Sequence, residues 1–345
     1  MRILIAALMM AILAFPVSGI ELDAPEVPGQ ARQYMPSSTE DFAAGIMEVV
    51  RNGIQLARPD LKEAGEICIG ILAAVILISV VQTFVKEKKT IVELVSAVLI
   101  SGLLLESTGS MINLGIQAAY EISDYGKLFL PVMTTALAAQ GGVSSSAAIY
   151  TAAMMFNTLL TNLISRILNP MVYVYLALAV STAALEEDLL KKLRDVVKWA
   201  MTWCLKIILY TFTGFLGLTG VVSGSADAAA LKVAKMTISG VVPVVGGILS
   251  DASEAVLVGA ATVKNAIGIY GMFAVMAIIL RPFVRIGTHY LLLKGTAALC
   301  HVFSGKKIAG LIADFSSALG FLLAMAGAGC LILIISITCF MKGMG

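Results

Sequence analysis

A long apolar run without a charged residue most constrains what this chain can fold into. Ile67–Val85 contains no Asp, Glu, Lys or Arg, and it has about the 20 residues that an α-helix needs to cross the hydrocarbon core of a bilayer. The cluster Lys86-Glu87-Lys88-Lys89 follows at once, and basic residues that flank a span tend to lie in the cytoplasm. The run therefore predicts a transmembrane helix that ends on the cytoplasmic side.

The composition extends this prediction to most of the chain. Of the 345 residues, 59% are hydrophobic and 13% are charged, whereas about a quarter of the residues in a soluble domain are charged. A formal net charge of +2 gives no indication of a nucleic-acid partner. None of the five cysteines forms a Cys-x-x-Cys pair, so no redox or metal site is indicated. We predict an all-α polytopic membrane protein.

The first 66 residues precede this membrane region. Residues 1–19 combine a basic start, an apolar core and small residues near the end. This pattern predicts a cleaved signal peptide, with an uncleaved anchor as the alternative. Residues 20–66 are more polar, and the apolar residues between Asp41 and Leu56 fall near helical spacing. We therefore expect an extracytoplasmic arm that contains a short amphipathic helix.

The membrane region contains one arrangement twice. The interval between Pro131 and Pro170 is the same as that between Pro243 and Pro282. The residues around the second proline of each pair are also similar, Ile-Leu-Asn-Pro-Met-Val and Ile-Leu-Arg-Pro-Phe-Val. A Lys-Lys pair and a further apolar run follow each block. Such a repeated pattern of prolines, lysine pairs and apolar runs is typical of a duplicated membrane unit. The predicted divisions are two transmembrane helices at 67–122, a first repeat at 123–234 and a second repeat at 235–345.

Prolines and glycines set the predicted number of crossings. A proline is tolerated in the first turn of a helix but breaks its interior, so new helices are expected to begin at Pro170 and Pro282. Pro131 and Pro243 would lie in short or broken spans that end at breaks over 140–146 and 250–254. Two spans followed by four in each repeat give about ten transmembrane helices, with parallel repeats. The alternative is that each short segment is a re-entrant hairpin.

In the ten-span layout the charged turns fall together. The basic turns at Lys86–Lys89, Glu186–Lys198 and Ser304–Lys307 all lie on the cytoplasmic side, as the positive-inside rule requires. Glu186–Lys198 is amphipathic and is expected to form a surface helix. Arg281 and Arg285 are the exception, because the same layout places them near the outer face.

Polar residues inside the apolar runs are the candidates for function. Burying such groups in a membrane costs free energy, so they are expected to face other helices or a water-filled path. Hydrogen bonding between helices explains Asn157 and Asn162 equally well. Where a helix breaks, freed backbone groups can line a cavity or contact an ion. The candidates for a path or for helix packing are Glu93, Glu106, Pro131, Gly141, Gly142, Asn157, Asn162, Arg166, Pro170, Pro243, Gly246, Gly247 and Pro282.

The sequence indicates no enzyme and no nucleotide site. Gly305-Lys306 resembles the end of a P-loop, but Cys300 stands where that motif requires its first glycine. Neither His289 nor His301 has a catalytic motif around it. His289 is interpreted as an interfacial or pore-side residue, with a polar relay as the alternative. No catalytic residue, cofactor or metal ligand is predicted.

Several short motifs resemble the stage III sporulation protein AE family. The order of an exported signal, a short polar arm and a long polytopic region also fits that family, and the resemblance covers the chain from about Ile67 to its end. These motifs carry no catalytic chemistry, so they transfer no active-site residue. They are Tyr125-Gly126-Lys127-Leu128-Phe129-Leu130-Pro131, Ala139-Gln140-Gly141-Gly142, Asn169-Pro170, Gly240–Gly247 and Leu280-Arg281-Pro282.

The resemblance implies a membrane subunit of the stage III A sporulation complex, in the mother-cell membrane that surrounds the engulfed forespore. It implies sister stage III A proteins as partners, including an ATPase-like subunit, and a channel partner on the forespore side. The complex would act as a channel, a feeding apparatus or an export platform for forespore development. Two other hypotheses stay open: a self-sufficient secondary transporter or permease for a small solute or ion, and a purely structural membrane scaffold.

Overall fold

All regular secondary structure in the described part of the chain is helical, which confirms the predicted all-α class there. The computed structural model describes residues 24–38, 41–84, 89–185, 187–241, 246–303 and 306–342, with side chains described except at 83, 89–90, 218–241, 246–261, 303 and 306. The predicted signal peptide at 1–19 and Pro243 lie outside these residues. The helices are α1 Gly29–Arg32, α2 Phe42–Phe84, α3 Lys89–Ala139, α4 Val143–Leu163, α5 Asn169–Leu185, α6 Asp188–Val241, α7 Gly246–Phe303 and α8 Lys306–Lys342, and a π-helical turn at Ile164–Leu168 joins α4 to α5.

Six stretches of the described chain are long and apolar enough to cross a membrane, by length and composition. Each is between 30 and 49 residues long, whereas about 20 residues suffice to cross the hydrocarbon core. The membrane character is therefore confirmed, and each helix also extends beyond one hydrocarbon thickness if it stands upright. The stretches are Phe42–Gln82, Ile91–Ala139, Val143–Leu185, Asp188–Gly217, Thr262–Val302 and Lys307–Lys342.

The predicted helix start at Pro282 is wrong. At Pro170 an α-helix does begin, because α5 starts at Asn169, but the π-helical turn joins it to α4 without a break. Pro282 lies in the interior of α7. Asn169, directly before Pro170, has helical backbone angles (φ −61°, ψ −53°), and its N–H bonds to the carbonyl of Ile164, five residues earlier. The π-helical turn thus accommodates a proline that has no N–H of its own. As a result, Val143–Leu185 forms one helix of 43 residues where two spans are predicted.

Other predicted boundaries are also absent. Pro131 lies inside α3, which replaces a predicted span and a short broken segment with one helix of 51 residues. The expected short amphipathic helix of the arm is the first part of α2, which continues through Pro59 into the predicted span. The break expected at 250–254 lies within α7. The expected surface helix at Glu186–Lys198 becomes the start of α6.

Long-range packing explains why these prolines do not end their helices. A proline inside a helix removes one backbone hydrogen bond and costs about 3 kcal/mol, which contacts along both flanking segments can offset. The predicted count of about ten spans is therefore not confirmed, and six candidate spans are found in the described residues. Because Pro243 is outside these residues, the two-repeat organisation stays a prediction.

The hairpin of α7 and α8 forms the centre of the fold. In the most apolar windows of these two helices 50% and 56% of the residues are buried, against 22–33% in the other four candidate spans. α3 packs against both helices of the hairpin, and α2 packs against α7. α4 and α5 contact α3 and α8, while α6 packs on α4, α5 and α8. The four outer spans therefore pack around a central pair that is more buried than they are.

All long helices share one end, which we call the basic end. There α3, α6 and α8 begin, α2, α5 and α7 end, and Glu93 at the start of α3 forms an ion pair with Lys307 at the start of α8. The predicted basic turns join helices at this end, although residues 85–88, 186 and 304–305 are outside the described part. The helix ends thus agree with the predicted grouping of the basic turns.

A second level of charge lies farther along the bundle, and we call it the middle belt: Glu63, Arg166, Lys206, Arg281 and Arg285. Arg285 joins α7 to α2 through an ion pair with Glu63 at 2.9 Å. Arg166, Lys206 and Arg285 are each about 18 residues from the basic end of their helices, which is about 27 Å at the α-helical rise of 1.5 Å per residue. This separation is close to the hydrocarbon thickness of about 30 Å.

The charge pattern of α2 shows which side of the middle belt is suited to lipid. Between the belt and the basic end, Ile67–Gln82 has no charged residue, whereas charged residues recur from Glu48 to Glu66. On the far side of the belt α3 also exposes Asp124 and Lys127. Exposed aromatic residues such as Trp203, which lies 6.0 Å from the Lys206 ammonium group, are typical of a bilayer surface. We call the side between the belt and the basic end the lower half and the far side the upper half; in the lower half α6 and α7 also expose Lys198 and Lys294.

A glycine on α7 allows the close approach of α3 in the upper half. A Cβ atom at Gly271 would lie 2.0 Å from Cζ of Phe129, whose side chain is fully buried. We expect Gly271→Ala to destabilise the protein by about 1–3 kcal/mol through overpacking, seen as a lower midpoint of thermal unfolding in detergent. Gly295→Ala on the same helix has open space around the new methyl group and serves as the control. Equal midpoints for the two variants would contradict this packing.

Candidate functional site

A largely buried ion pair lies near the basic end, between α6 and α8. Arg194 Nη1 donates to Asp314 Oδ2 at 2.7 Å, and the two side chains are only 15% and 13% exposed. Tyr175 on α5 donates its hydroxyl to the other carboxylate oxygen, Oδ1, at 2.8 Å. Arg194 also donates through Nε and Nη2 to Asp195. Both oxygens of Asp314 are thus bound, and three helices are tied together at one carboxylate.

Sequence reasoning missed this network, although a signal for it was present. Asp314 is the only charged residue between Ile308 and Met341, and a lone carboxylate in an apolar span is costly unless it is paired. The sequence pattern around its partner Arg194 predicts only an amphipathic surface helix. Glu93, which was a candidate, is bound to Lys307 across the α3–α8 contact.

A cavity of about 430 Å³ opens beside this network, between α5, α6 and α8. Arg194, Asp314 and Lys307 form part of its wall, together with the polar residues Thr182, Glu187, Asp188 and Lys191. Charges of both signs line it, so it suits water and small polar groups more than an apolar ligand. Among the described residues no group of three or more His, Cys, Asp or Glu side chains is arranged to hold a metal ion.

The predicted break after Pro131 is present, between α3 and α4. Gly141 has φ 93°, a left-handed conformation that favours glycine. The turn is closed by its own backbone: Gln140 and Gly142 both donate to the carbonyl of Leu137, and Gly141 donates to Ala138. The break is therefore a compact helix cap that reverses the chain. Whether it borders a path stays a prediction.

Asn157 binds one helix to its neighbour. Its side chain is 2% exposed, and Nδ2 donates to the carbonyl of Ser123 on α3 at 3.1 Å. Gly126 lies at the same crossing, where an added Cβ would stand 3.1 Å from that nitrogen. This contact is the interhelical hydrogen bond that was the second interpretation of Asn157. His289 is likewise buried in α7, with Nδ1 donating to the carbonyl of Arg285 at 2.9 Å.

The remaining candidates do not converge on one site. Glu106, Asn162 and Arg166 are exposed on the outer surface of the chain, where the sequence led us to expect contact with other helices or a wet path. Neither Glu106 nor Arg166 forms an ion pair with another described residue. Pro131 and Pro170 are exposed, Pro282 is buried in α7, and Gly246 and Gly247 are the first residues of that helix. The structure therefore separates these candidates onto several faces.

Removing the carboxylate of Asp314 tests the ion-pair network. Asp314→Ala leaves Arg194 with only the exposed carboxylate of Asp195 as a partner, and breaking a buried ion pair costs about 3–5 kcal/mol. We expect a lower midpoint of thermal unfolding in detergent, and a smaller loss in the double variant Arg194→Leu with Asp314→Leu, which leaves no buried charge unpaired.

The control for this experiment is the exposed pair of Asp124 and Lys127, whose side chains are 66% and 48% exposed. Asp124→Ala is expected to change stability by at most about 1 kcal/mol. If Asp314→Ala behaves like this control, or if the double variant is as unstable as the single one, the network does not stabilise the fold in this way.

Comparisons with known proteins agree with the motifs. The family model described as Stage III sporulation protein AE matches residues 31–343. The chain is also similar to the protein named Stage III sporulation protein AE of Bacillus subtilis (strain 168), with 22% identity over 236 residues that cover 68% of this chain and 59% of the relative. The match thus spans less than two thirds of that relative's length. No solved structure matches the chain.

Proposed function

The chain belongs to the stage III sporulation protein AE family, and on this premise we propose that it is a non-enzymatic subunit of the stage III A sporulation complex. Its place would be the mother-cell membrane around the engulfed forespore. There it would contribute the conducting part or the export platform of a channel or feeding apparatus. The basic end would face the mother-cell cytoplasm, where an ATPase-like sister protein could act on it.

The observation that carries this proposal is the excess length of the apolar surface. α2 exposes Ile69 and Leu77 in its lower half and Met47, Val50 and Ile54 in its upper half. Residues 47 and 77 are about 45 Å apart along an α-helix, whereas the hydrocarbon core is about 30 Å thick. Part of this apolar surface therefore lies outside the bilayer, and cover by other protein subunits would remove it from water.

Outward-facing charges in the spans also favour an assembly. Glu106 and Arg166 lie in candidate spans, at the height of the middle belt, and are exposed. Charged residues in spans usually face a partner or water. In a subunit of a larger complex, these side chains would face a neighbouring subunit or a shared aqueous path.

Loss of the gene tests the proposal directly. In an endospore-forming host that carries it, deletion is expected to abolish mature, heat-resistant spores after engulfment, and a plasmid copy is expected to restore them. The readout is the yield of heat-resistant spores, together with microscopy of engulfed forespores. A normal spore yield without the gene would contradict the proposal.

Arg166 separates an assembly role from a scaffold role of the single chain. Because its guanidinium group points away from this chain, Arg166→Leu is expected to keep normal protein level and thermal stability while it lowers the spore yield. It is also expected to reduce copurification of the sister proteins. Arg166→Lys retains the charge and is the matched control. A normal spore yield with Arg166→Leu at normal protein level would favour a purely structural scaffold.

The charged cavity at the basic end favours a second candidate, a self-sufficient transporter for a small solute or ion. This candidate requires flux by the isolated protein. If the purified protein in liposomes moves neither ions nor small solutes down a gradient, this result contradicts the transporter candidate.

A further inference from the structure

A second cavity, of about 320 Å³, lies at the middle belt between α1, α3 and α7. Arg281 and Arg285 line one side, and Asn113, Gln117 and Tyr34 lie around them. We propose that this cavity binds the phosphate group of a phospholipid between the two guanidinium groups. This site is independent of the function proposed above.

The two arginines have donors available for an anion. Arg285 uses only Nη2 to bind Glu63, at 2.9 and 3.2 Å from the two carboxylate oxygens. Its Nε and Nη1 form no hydrogen bond with the described residues, and Arg281 forms no ion pair with them. Planar guanidinium groups bind phosphate through paired N–H donors. One helical turn separates residues 281 and 285, so both groups can approach the same phosphate.

The rest of the lining suits a headgroup more than a free anion. Glu121 also borders the cavity, and its Oε1 accepts a hydrogen bond from Gln117 Nε2 at 2.7 Å. This carboxylate repels a free phosphate ion but can face the ammonium group of a zwitterionic headgroup. Leu114 and Ile278 supply apolar wall, against which the glycerol and the first methylene groups of a lipid can pack.

The position of the cavity is the independent reason for choosing a lipid. Arg281 is about 33 Å from the end of α7 at Phe303 by helical rise, which places it at the level of the phosphates on the far side of a hydrocarbon core about 30 Å thick. The short helix α1 lies over α7, and its buried Ala31 borders the cavity. The cavity is thus bounded by protein on several sides at the depth where phospholipid headgroups lie.

A bound phosphate also explains an irregularity of the sequence. Basic residues are depleted on the outer side of membrane proteins, yet the height of the middle belt places Arg281 and Arg285 there. Glu63 pairs with Arg285, and the carboxyl group of Asp60 lies within electrostatic range of both arginines. A phospholipid phosphate would bind the N–H donors that these carboxyl groups leave free.

Binding of lipids to the purified full-length chain tests the site. The probes are dihexanoyl phosphatidylethanolamine, dihexanoyl phosphatidylglycerol and inorganic phosphate, each titrated in detergent and followed by ³¹P NMR and by the rise in the midpoint of thermal unfolding. We expect at least one short-chain phospholipid to bind, and Arg281→Gln to weaken it about 10-fold or more, as expected for the loss of a hydrogen bond to a charged group.

Two controls separate binding from folding. Arg58→Gln removes an exposed arginine that does not border the cavity and is expected to leave the affinity unchanged. Glu63→Gln breaks the ion pair of Arg285 but keeps both arginines, so binding is expected to persist or to tighten. Equal phospholipid affinity of Arg281→Gln and the unchanged chain would overturn the proposal. So would binding of inorganic phosphate alone in a manner that depends on Arg281, since this would indicate a free-anion site.

Discussion

The mismatch between helix length and bilayer thickness governs much of this structure. Helices of 41 to 49 residues reach about twice as far as the hydrocarbon core requires, so each upright helix has a part in lipid and a part beyond it. The middle belt marks the boundary, because α2 loses its charged residues at that level and α7 carries two arginines there. In this arrangement the apolar surface of the upper half lies outside the lipid, which is the basis of the proposed assembly.

Polar contacts between helices fix how the helices are aligned in this bundle. Apolar packing of α7 and α8 fills the centre but is tolerant of sliding, whereas ion pairs and hydrogen bonds have a single register. Asp314 with Arg194 and Tyr175 fixes α5, α6 and α8 near the basic end. Glu63 with Arg285 fixes α2 against α7 at the middle belt, and Asn157 fixes α4 against α3 in the upper half. Each level of the bundle thus has its own polar contact.

The sequence predicts the class of the protein, its family and the turn at Gly141 and Gly142 because these depend on local signals. A long apolar run indicates a segment that avoids water, and a glycine pair indicates a backbone that can adopt the left-handed conformation of a turn. It does not predict the continuity of the helices at Pro131, Pro170 and Pro282. There a local penalty competes with contacts between distant segments, and only the fold shows that the contacts are sufficient. The sequence likewise does not show whether the polar residues of an apolar run, such as Glu106 and Arg166, face outward or are buried between helices.

The depth of the chain in a bilayer is the central claim, and spin labels along the exposed face of α3 measure it. Single cysteines at Leu103, Asn113 and Leu128, in a variant without the native cysteines, would carry the label in liposomes. If the lower half is embedded, the label at 103 has high accessibility to oxygen, and the label at 113 is accessible to a water-soluble nickel chelate. The label at 128 is then farther from the lipid than the label at 113. An oxygen maximum at 128, with 103 exposed to the chelate, would show that the upper half is embedded and contradict this arrangement.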